Sequence, residues 1–312
     1  MKDSSSNSSR APGHWWFVYT VVTMVAWGLW GALIDTTAKA GFPEAMGYVV
    51  WAITMLPPAF YALSRAGWRL EHDRRSVGLG MLAGFLGGSG QLILFKVLRL
   101  APAYLVFPVI ALSPLVTVGM AFALSRERVA RKDWAGIVLS LVAGVLLAYT
   151  PPAGGVATQG WLILTLLVFL TWGVQGYVIS HANRRMGAES IFFYMMISGL
   201  LFVPVALAMV DGSQPINWGL RGFWSALLIQ SLNSIGALLL VYALRYGKAM
   251  IVAPLVNAGA PVITILISLL LYRTLPNGIN LAGIVTAVVA TVLMAWSEGT
   301  PPAPVPPAGG RF

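Results

Sequence analysis

Amide and hydroxyl side chains stand inside long apolar runs of this sequence, at steps of three and four residues. Asn257 and Thr264 follow Pro254 and Pro261 in this way, so these four residues share one face of a helix. Asn233 lies in the preceding apolar run. The side chains can donate and accept hydrogen bonds, and the prolines leave backbone carbonyls without their usual helical partners. Such groups favour binding of a small solute over covalent chemistry.

Tryptophans add an aromatic surface to these polar groups. Trp27 and Trp30 are three residues apart in the first apolar run, and Trp172 and Gln175 have the same spacing in a later run. A glycine-rich run contributes Gln91. We therefore predict a mixed aromatic and amide site for a small amphipathic solute. The predicted substrate-binding residues are Trp27, Trp30, Gln91, Trp172, Gln175, Asn233, Asn257 and Thr264.

Each of these residues also has an ordinary structural interpretation. An Asn or Gln inside a membrane helix often forms an interhelical hydrogen bond, worth about 1 kcal/mol or less. Tryptophans beside glycines, as in Trp27-Gly28 and Trp172-Gly173, can serve helix packing alone. The sequence leaves both interpretations open.

Charged side chains are scarce within the apolar runs. No acid lies in the middle of a run, and Asp35 is nearest, close to the end of the first. Lys96 either snorkels or binds an anionic group at the mouth of the site. We predict Asp35 and Lys96 as coupling or gating residues, with Pro108, Pro254 and Pro261 at the hinges. Facilitated diffusion, exchange and ion coupling all stay open.

An enzyme would have one candidate nucleophile. Ser89 lies in Gly87-Gly88-Ser89-Gly90, which fits the Gly-x-Ser-Gly pattern of intramembrane serine proteases. That chemistry needs a histidine within reach of the serine, whereas His181 is predicted at a different membrane depth. The chain has no cysteine, and it carries no metal-binding or P-loop motif. We predict no enzyme and no cofactor, and keep the protease as a remote alternative.

The composition of the chain indicates that these residues lie on transmembrane helices. Of the 312 residues, 58% are hydrophobic and 10% are charged, against about 25% charged in a soluble domain. A spanning helix needs about 20 apolar residues. We therefore predict an all-α membrane protein. Its ten transmembrane helices are expected at 16–37, 45–64, 76–97, 103–124, 133–150, 160–180, 189–210, 222–244, 249–272 and 279–297.

The two halves of the chain repeat one another. Leu94–Pro108 returns as Leu240–Pro254 at an offset of 146 residues, and the two Trp-Gly pairs match at 145. Glu44 and Glu189, which begin the second helix of each half, also match at 145. An odd number of spans per copy gives the copies opposite orientations, so we predict inverted five-helix repeats. The predicted units are the repeats 15–150 and 160–297, the linker 151–159, and the disordered tails 1–14 and 298–312.

Charge predicts the orientation. With the amino terminus in the cytoplasm, 15 of the 20 Lys and Arg residues fall in cytoplasmic segments. The positive-inside rule therefore predicts a multi-pass protein of a bacterial-type inner membrane with both termini cytoplasmic. Positive charge lies in short gaps between apolar runs, which argues against nucleic acid as a partner. The expected partners are a small-molecule solute and membrane lipid, and the oligomeric state stays open.

Ten short spans in a five-plus-five inverted repeat resemble the drug/metabolite transporter superfamily, specifically its EamA-type members. The resemblance covers residues 16–297. It rests on the Trp-Gly pairs, on the hairpins that end in Pro108 and Pro254, and on the Ser125-Arg126-Glu127 exit of the fourth span. The second half has Arg273-Thr274 where the first has Glu127. We therefore expect a structural role for Glu127, paired with a nearby arginine.

The resemblance implies a secondary transporter that works by alternating access and needs no cofactor. It also implies a central cavity surrounded by spans one, three, four, six, eight and nine, with five and ten at the periphery. Family members most often export amino acids or related compounds. An uptake carrier for a sugar, nucleobase or quaternary amine fits the same cavity, since tryptophan walls suit a cationic solute.

Overall fold

The computed structural model describes residues 15–101, 106, 109–129, 131–149, 160–213, 215–272 and 277–295. The predicted linker and both predicted tails lie outside these ranges. Within them the regular structure is helical, as expected for an all-α membrane protein. The α-helices are α1 Trp15–Lys39, α2 Glu44–Thr54, α3 Leu56–Arg65, α4 Arg74–Leu100, α5 Pro114–Ala123, α6 Arg131–Ala148, α7 Trp161–Asn183, α8 Ala188–Leu201, α9 Val203–Ala208, α10 Ser225–Tyr246, α11 Ala249–Tyr272 and α12 Gly278–Ala295.

Seven stretches of the described chain are long and apolar enough to cross a membrane. They correspond to the predicted spans one, two, three, six, seven, eight and nine. Three shorter apolar helices, at Pro114–Ala123, Asp133–Ala148 and Gly278–Leu293, correspond to spans four, five and ten. The ten-span count stays a prediction.

Proline interrupts three spans that were predicted as continuous helices. The second span divides at Met55, just before Pro57, and the seventh divides at Phe202, just before Pro204. Proline lacks the amide hydrogen and clashes with the carbonyl four residues earlier, so the helix restarts there. The fourth span has a turn at 111–113 before Pro114. The ninth span, α11, instead runs unbroken through Pro254 and Pro261.

Glycines allow α4 to pack closely on two neighbouring helices. A Cβ atom at Gly84 would lie 2.6 Å from Ser198 Cβ and 2.7 Å from Met195 Cα, both on α8. At Gly87 and Gly90 a Cβ would collide with the side chains of Gln175 and Trp172 on α7. Small residues let helix backbones approach in this way.

The helices form two bundles, each with members from both halves of the chain. The first bundle contains α1, α2, α10 and α11: α1 packs along α10 and α11, and α2 packs on α10. The second bundle contains α4, α5, α7 and α8: α4 packs along α7 and α8, and α5 packs on α7. Helices α6 and α12 pack on each other, and both contact α11.

Hydrogen bonds within the bundles recur at a nearly constant offset. In the first bundle, Thr264 Oγ1 donates to the carbonyl of Gly28 at 3.0 Å. In the second, Thr117 Oγ1 donates to the carbonyl of Gly173 at 2.7 Å. The threonines are 147 residues apart and the glycines 145. The two bundles are thus built on the same local contacts.

Candidate functional site

The two tryptophans of the Trp-Gly pairs make equivalent hydrogen bonds, one in each bundle. Trp27 Nε1 donates to the carbonyl of Asn233 at 3.2 Å. Trp172 Nε1 donates to the carbonyl of Gly87 at 3.4 Å. Both indole rings are only partly buried. Because each N–H is held by a backbone carbonyl, the orientation of each ring is fixed.

The aligned residues Trp30 and Gln175 are also held within their own bundles. Trp30 Nε1 donates to Oε1 of Gln230, a side chain that is 2% exposed, at 3.1 Å. Gln175 Nε2 donates to the carbonyl of Ala83 at 3.1 Å. The two bundles therefore differ here: one carries an indole and the other an amide.

Two predicted amides have hydrogen-bonding capacity to spare. Among the described residues, the side chains of Gln91 and Asn233 have no hydrogen-bond partner, and both are partly buried. Asn257 Nδ2 donates to the carbonyl of Ala253, one turn earlier, at 3.3 Å. These groups can exchange water for a solute without breaking a contact between helices.

Several hydrogen bonds between the bundles lie at the proximal end, which we define as the end where α1 begins. One more, from the hydroxyl of Tyr48 on α2 to the carbonyl of Gly199 on α8 at 3.2 Å, lies towards the other end. Tyr242 donates its hydroxyl hydrogen to Glu189 Oε1 at 2.7 Å. Asn183 Nδ2 donates to the carbonyl of Val241 at 2.9 Å. The ring of Tyr19 stacks on that of Tyr242 at 5.2 Å. Residues of α10 are thereby tied to α7 and α8 across the bundle interface.

Loop residues add to the closure of the proximal end. Arg245 donates to the carbonyl of Met186 at 2.9 Å, and Lys248 donates to the carbonyl of Arg128 at 2.8 Å. Both bonds join the first bundle to the second.

Glu127 lies within this closed end and is 8% exposed. It forms an ion pair with Arg184 at 3.0 Å, so its partner is an arginine, but one that lies 57 residues away along the chain. Its other carboxylate oxygen accepts from the backbone N–H of Met250 at 3.4 Å, at the start of α11. Glu127 thus satisfies a helix N-terminus and joins the two bundles.

The distal end, where α1 finishes, is more exposed at several positions than the proximal end. A concavity there is lined by residues that include Ile34, Ala38, Glu44 and Phe95. Ile34 and Phe95 are partly exposed, whereas their counterparts Ile179 and Val241 at the proximal end are fully buried.

The predicted gating residues divide into described and undescribed ones. Lys96 is exposed on α4 near the distal end. Pro254 is buried and Pro261 partly buried within α11. Pro108 lies outside the described residues, as does the side chain of Asp35.

Ser89 shows the contacts of an ordinary helical serine. Its hydroxyl donates to the carbonyl of Leu86, one turn earlier, at 3.4 Å. His181 is exposed in the last turn of α7, where its ring stacks on that of Tyr177 at 5.9 Å. The serine and the histidine therefore have separate surroundings.

Sequence reasoning missed the tyrosines of the closed end. Tyr19, Tyr242 and Tyr246 form one stack, because Tyr19 also packs on Tyr246 at 5.9 Å. The sequence did contain a signal for Tyr242. In the repeated segment Tyr242 aligns with Lys96, so a tyrosine replaces a lysine although the flanking leucines are the same in both copies. Gln230, the partner of Trp30, was also absent from the predicted site.

Comparison with known proteins identifies the family. The model described as "EamA-like transporter family" matches residues 14–150 and again residues 159–296. The chain belongs to the EamA-like transporter family. The resemblance to the drug/metabolite transporter superfamily is thereby confirmed, and the protein is a membrane transporter of this family.

Individual relatives agree with this assignment. The chain is 26% identical over 291 residues to "Protein RarD" of Streptomyces exfoliatus, covering 87% of this chain and 86% of that protein. It is 43% identical over 140 residues to "Uncharacterized protein MJ1333.1" of Methanocaldococcus jannaschii, covering 44% of this chain and 97% of that protein. A solved crystal structure with 19% identity has a TM-score of 0.69, and the match covers 89% of this chain and 98% of that chain, so the two share a fold.

Proposed function

We propose that this EamA-like transporter is a secondary transporter that moves small polar or amphipathic metabolites by alternating access. Amino acids or related compounds are the proposed solutes, and export is the proposed direction. The observation that carries the proposal is that Trp27 and Trp172 make equivalent hydrogen bonds in two bundles, and that most of the hydrogen bonds between the bundles lie at one end.

The proposed architecture is a ten-span pair of inverted five-helix repeats. Equivalent hydrogen bonds within the two bundles support this architecture, because duplicated segments keep equivalent contacts. The double match of the family model and the half-length relative MJ1333.1 support it as well. In this architecture each bundle contains helices from both repeats. When the bundles rock against each other, both repeats therefore move.

The proposed setting is a bacterial-type inner membrane with both termini cytoplasmic. The excess of Lys and Arg in the segments at the proximal end supports this orientation. The closed proximal end then faces the cytoplasm, and the looser distal end faces outside. In this outward-facing state the site exchanges solute with the external side of the membrane.

The chemistry of the central residues supports an amphipathic solute. Trp27, Trp172 and the amides of Gln91 and Asn233 offer aromatic faces and neutral hydrogen-bonding groups. Neutral donors and acceptors suit an uncharged or zwitterionic solute better than a multiply charged one, because a buried charge needs a charged partner. A sugar, nucleobase or quaternary amine taken up from outside is the alternative solute class.

Flux into proteoliposomes tests the site. We expect Trp27→Ala, Trp172→Ala and Asn257→Ala each to reduce solute flux about tenfold or more, since losing a ring contact or hydrogen bond of about 1.4 kcal/mol costs a factor of ten. Ser89→Ala is the matched control, because its hydroxyl contacts only its own helix.

The outcomes separate the possible functions. Unchanged kinetics in all three site variants would show that the solute binds elsewhere. Flux that survives Ser89→Ala and falls in the Trp172→Ala or Asn257→Ala variant would remove the protease alternative. A thermal-shift screen of amino acids, amines, sugars and nucleobases with the purified protein identifies the solute class.

A further inference from the structure

The two ends of the molecule use equivalent positions in different ways. Glu189 begins α8, and Glu44 begins α2 at the position 145 residues earlier. Tyr242 lies near the end of α10, and Lys96 lies near the end of α4 at the position 146 residues earlier. An acid and a tyrosine at the proximal end thus correspond to an acid and a lysine at the distal end.

Only the proximal pair is joined. Tyr242 donates to Glu189 at 2.7 Å and links the first bundle to the second. At the distal end both Glu44 and Lys96 are exposed, and neither has a hydrogen bond or ion pair within the described part of the chain. Glu44 lines the distal concavity together with Phe95, the residue next to Lys96.

The neighbouring positions differ in the same direction. Val241 precedes Tyr242 and is fully buried, with its carbonyl bonded to Asn183. Phe95, its counterpart, is partly exposed, and the counterpart of Asn183 is Ala38, also on the wall of the concavity. These distal positions are thus more exposed than their counterparts at the proximal end.

We propose that Glu44 and Lys96 form an ion pair that closes the distal end in the opposite state of the transporter. The inference rests on the alternating access proposed above. When the bundles rock, the distal residues reach the separation that Glu189 and Tyr242 have now, and the lysine and glutamate meet across the bundle interface. The pair then marks the external gate.

An ion pair at this position suits a gate that must reopen. An exposed pair of charges contributes little, since water and salt screen it. Closure removes water, and the attraction between the charges grows as the local dielectric constant falls. In the open state Glu44 keeps a favourable place in the first turn of α2, where a negative charge is stabilised by the helix dipole.

Disulfide trapping tests the pair, because the chain has no native cysteine. The variant Glu44→Cys/Lys96→Cys is reconstituted in proteoliposomes and oxidised, with and without Tyr242→Phe. Tyr242→Phe removes the proximal hydrogen bond and shifts the population towards the state with a closed distal end. We expect the disulfide yield to rise about fivefold, the change that a loss of about 1 kcal/mol produces.

The matched control pair is Glu44→Cys/Gly212→Cys. Gly212 is exposed at the same end, and no other atom lies within 4 Å of a Cβ built there. A yield for the test pair that equals that of the control, or that does not respond to Tyr242→Phe, overturns the gate.

Charge exchange supplies a second measurement. Glu44→Lys and Lys96→Glu each place like charges together at closure, so each is expected to lower solute flux, and the double exchange is expected to restore it. Trapping needs no solute, which keeps the two proposals separable. If the disulfide yield responds to Tyr242→Phe but the protein shows no solute flux, the result supports the gate and counts against the proposed transport. Flux without such a response counts against the gate alone.

Discussion

At the scale of single residues, carboxylates outside the apolar spans hold the ends of helices in place. Asp73 precedes α4 and accepts hydrogen bonds from the backbone N–H groups of Arg75 and Ser76. It also accepts from Arg185 Nη2 at 2.9 Å, on the loop before α8. Hydrogen bonds from the Ser76 hydroxyl and then from Arg185 hold the pKa of the Asp73 carboxyl well below its usual range. Asp73 thus fastens the start of α4 to the start of α8.

The lowered pKa of Asp73 predicts a pH-dependent contribution to stability. The unfolded pKa of an Asp is about 3.9, and the folded value is lower. The stabilising contribution is therefore complete above the unfolded pKa and is lost as pH falls through the folded pKa. We expect the melting temperature of the wild type to exceed that of Asp73→Asn at pH 7, and the difference to shrink below about pH 4. Melting curves in detergent between pH 3 and pH 7 measure it.

Ser76→Ala is the control for this prediction. Ser76→Ala removes the largest cause of the lowered pKa of Asp73. The difference in melting temperature between Ser76→Ala and the double variant Ser76→Ala/Asp73→Asn should therefore be smaller at pH 7 and change less on acidification. A difference between wild type and Asp73→Asn that stayed constant down to pH 3 would contradict the assignment.

At the scale of helices, α4 predicts a contrast between two glycine substitutions. Gly84→Ala would place a Cβ against the backbone of Met195, which cannot move aside as a flexible side chain can. Overpacking of this kind typically costs about 1–3 kcal/mol. Gly78, on the same helix, has open space around the position that a Cβ would take, so Gly78→Ala should be neutral or stabilising by up to about 1 kcal/mol. Melting temperatures in detergent compare the two variants, and equal losses would show that α4 and α8 do not pack as described.

The helices themselves were predictable from the sequence to different degrees. Runs of about 20 apolar residues predicted the long helices, because a membrane requires that length. The breaks at Met55 and Phe202 were not predicted, although Pro57 and Pro204 lie beside them. Proline inside an apolar run permits either a break or a continuous helix, and α11 continues through Pro254 and Pro261. Packing against neighbouring helices decides between a break and a continuous helix. The sequence of one apolar run does not show that packing.

At the scale of the whole molecule, the pairing of helices from different halves determines the candidate site. Residue type and spacing predicted Trp27 and Trp172 as equivalent residues, and their hydrogen bonds are indeed equivalent. Their partners, the carbonyls of Asn233 and Gly87, are backbone groups that no residue type reveals. The hydrogen bond between Tyr242 and Glu189 joins α10 to α8, and residue type alone does not reveal that pairing of helices. Under the alternating access proposed above, one sequence must fit two states, so residue types alone do not specify the state adopted.

The proposed inverted orientation of the two halves makes a prediction for two equivalent loops. Arg69 lies between the second and third spans, and Gly212 lies between the seventh and eighth; both are exposed. In the proposed topology the first loop is cytoplasmic and the second external, although the loops occupy corresponding places in the two halves. With no native cysteine, Arg69→Cys and Gly212→Cys each supply a single thiol. In intact bacterial cells a membrane-impermeant maleimide should label Gly212→Cys at once and Arg69→Cys only after the membrane is opened. Equal labelling of both thiols before opening would place the loops on one side, and the halves would then be parallel.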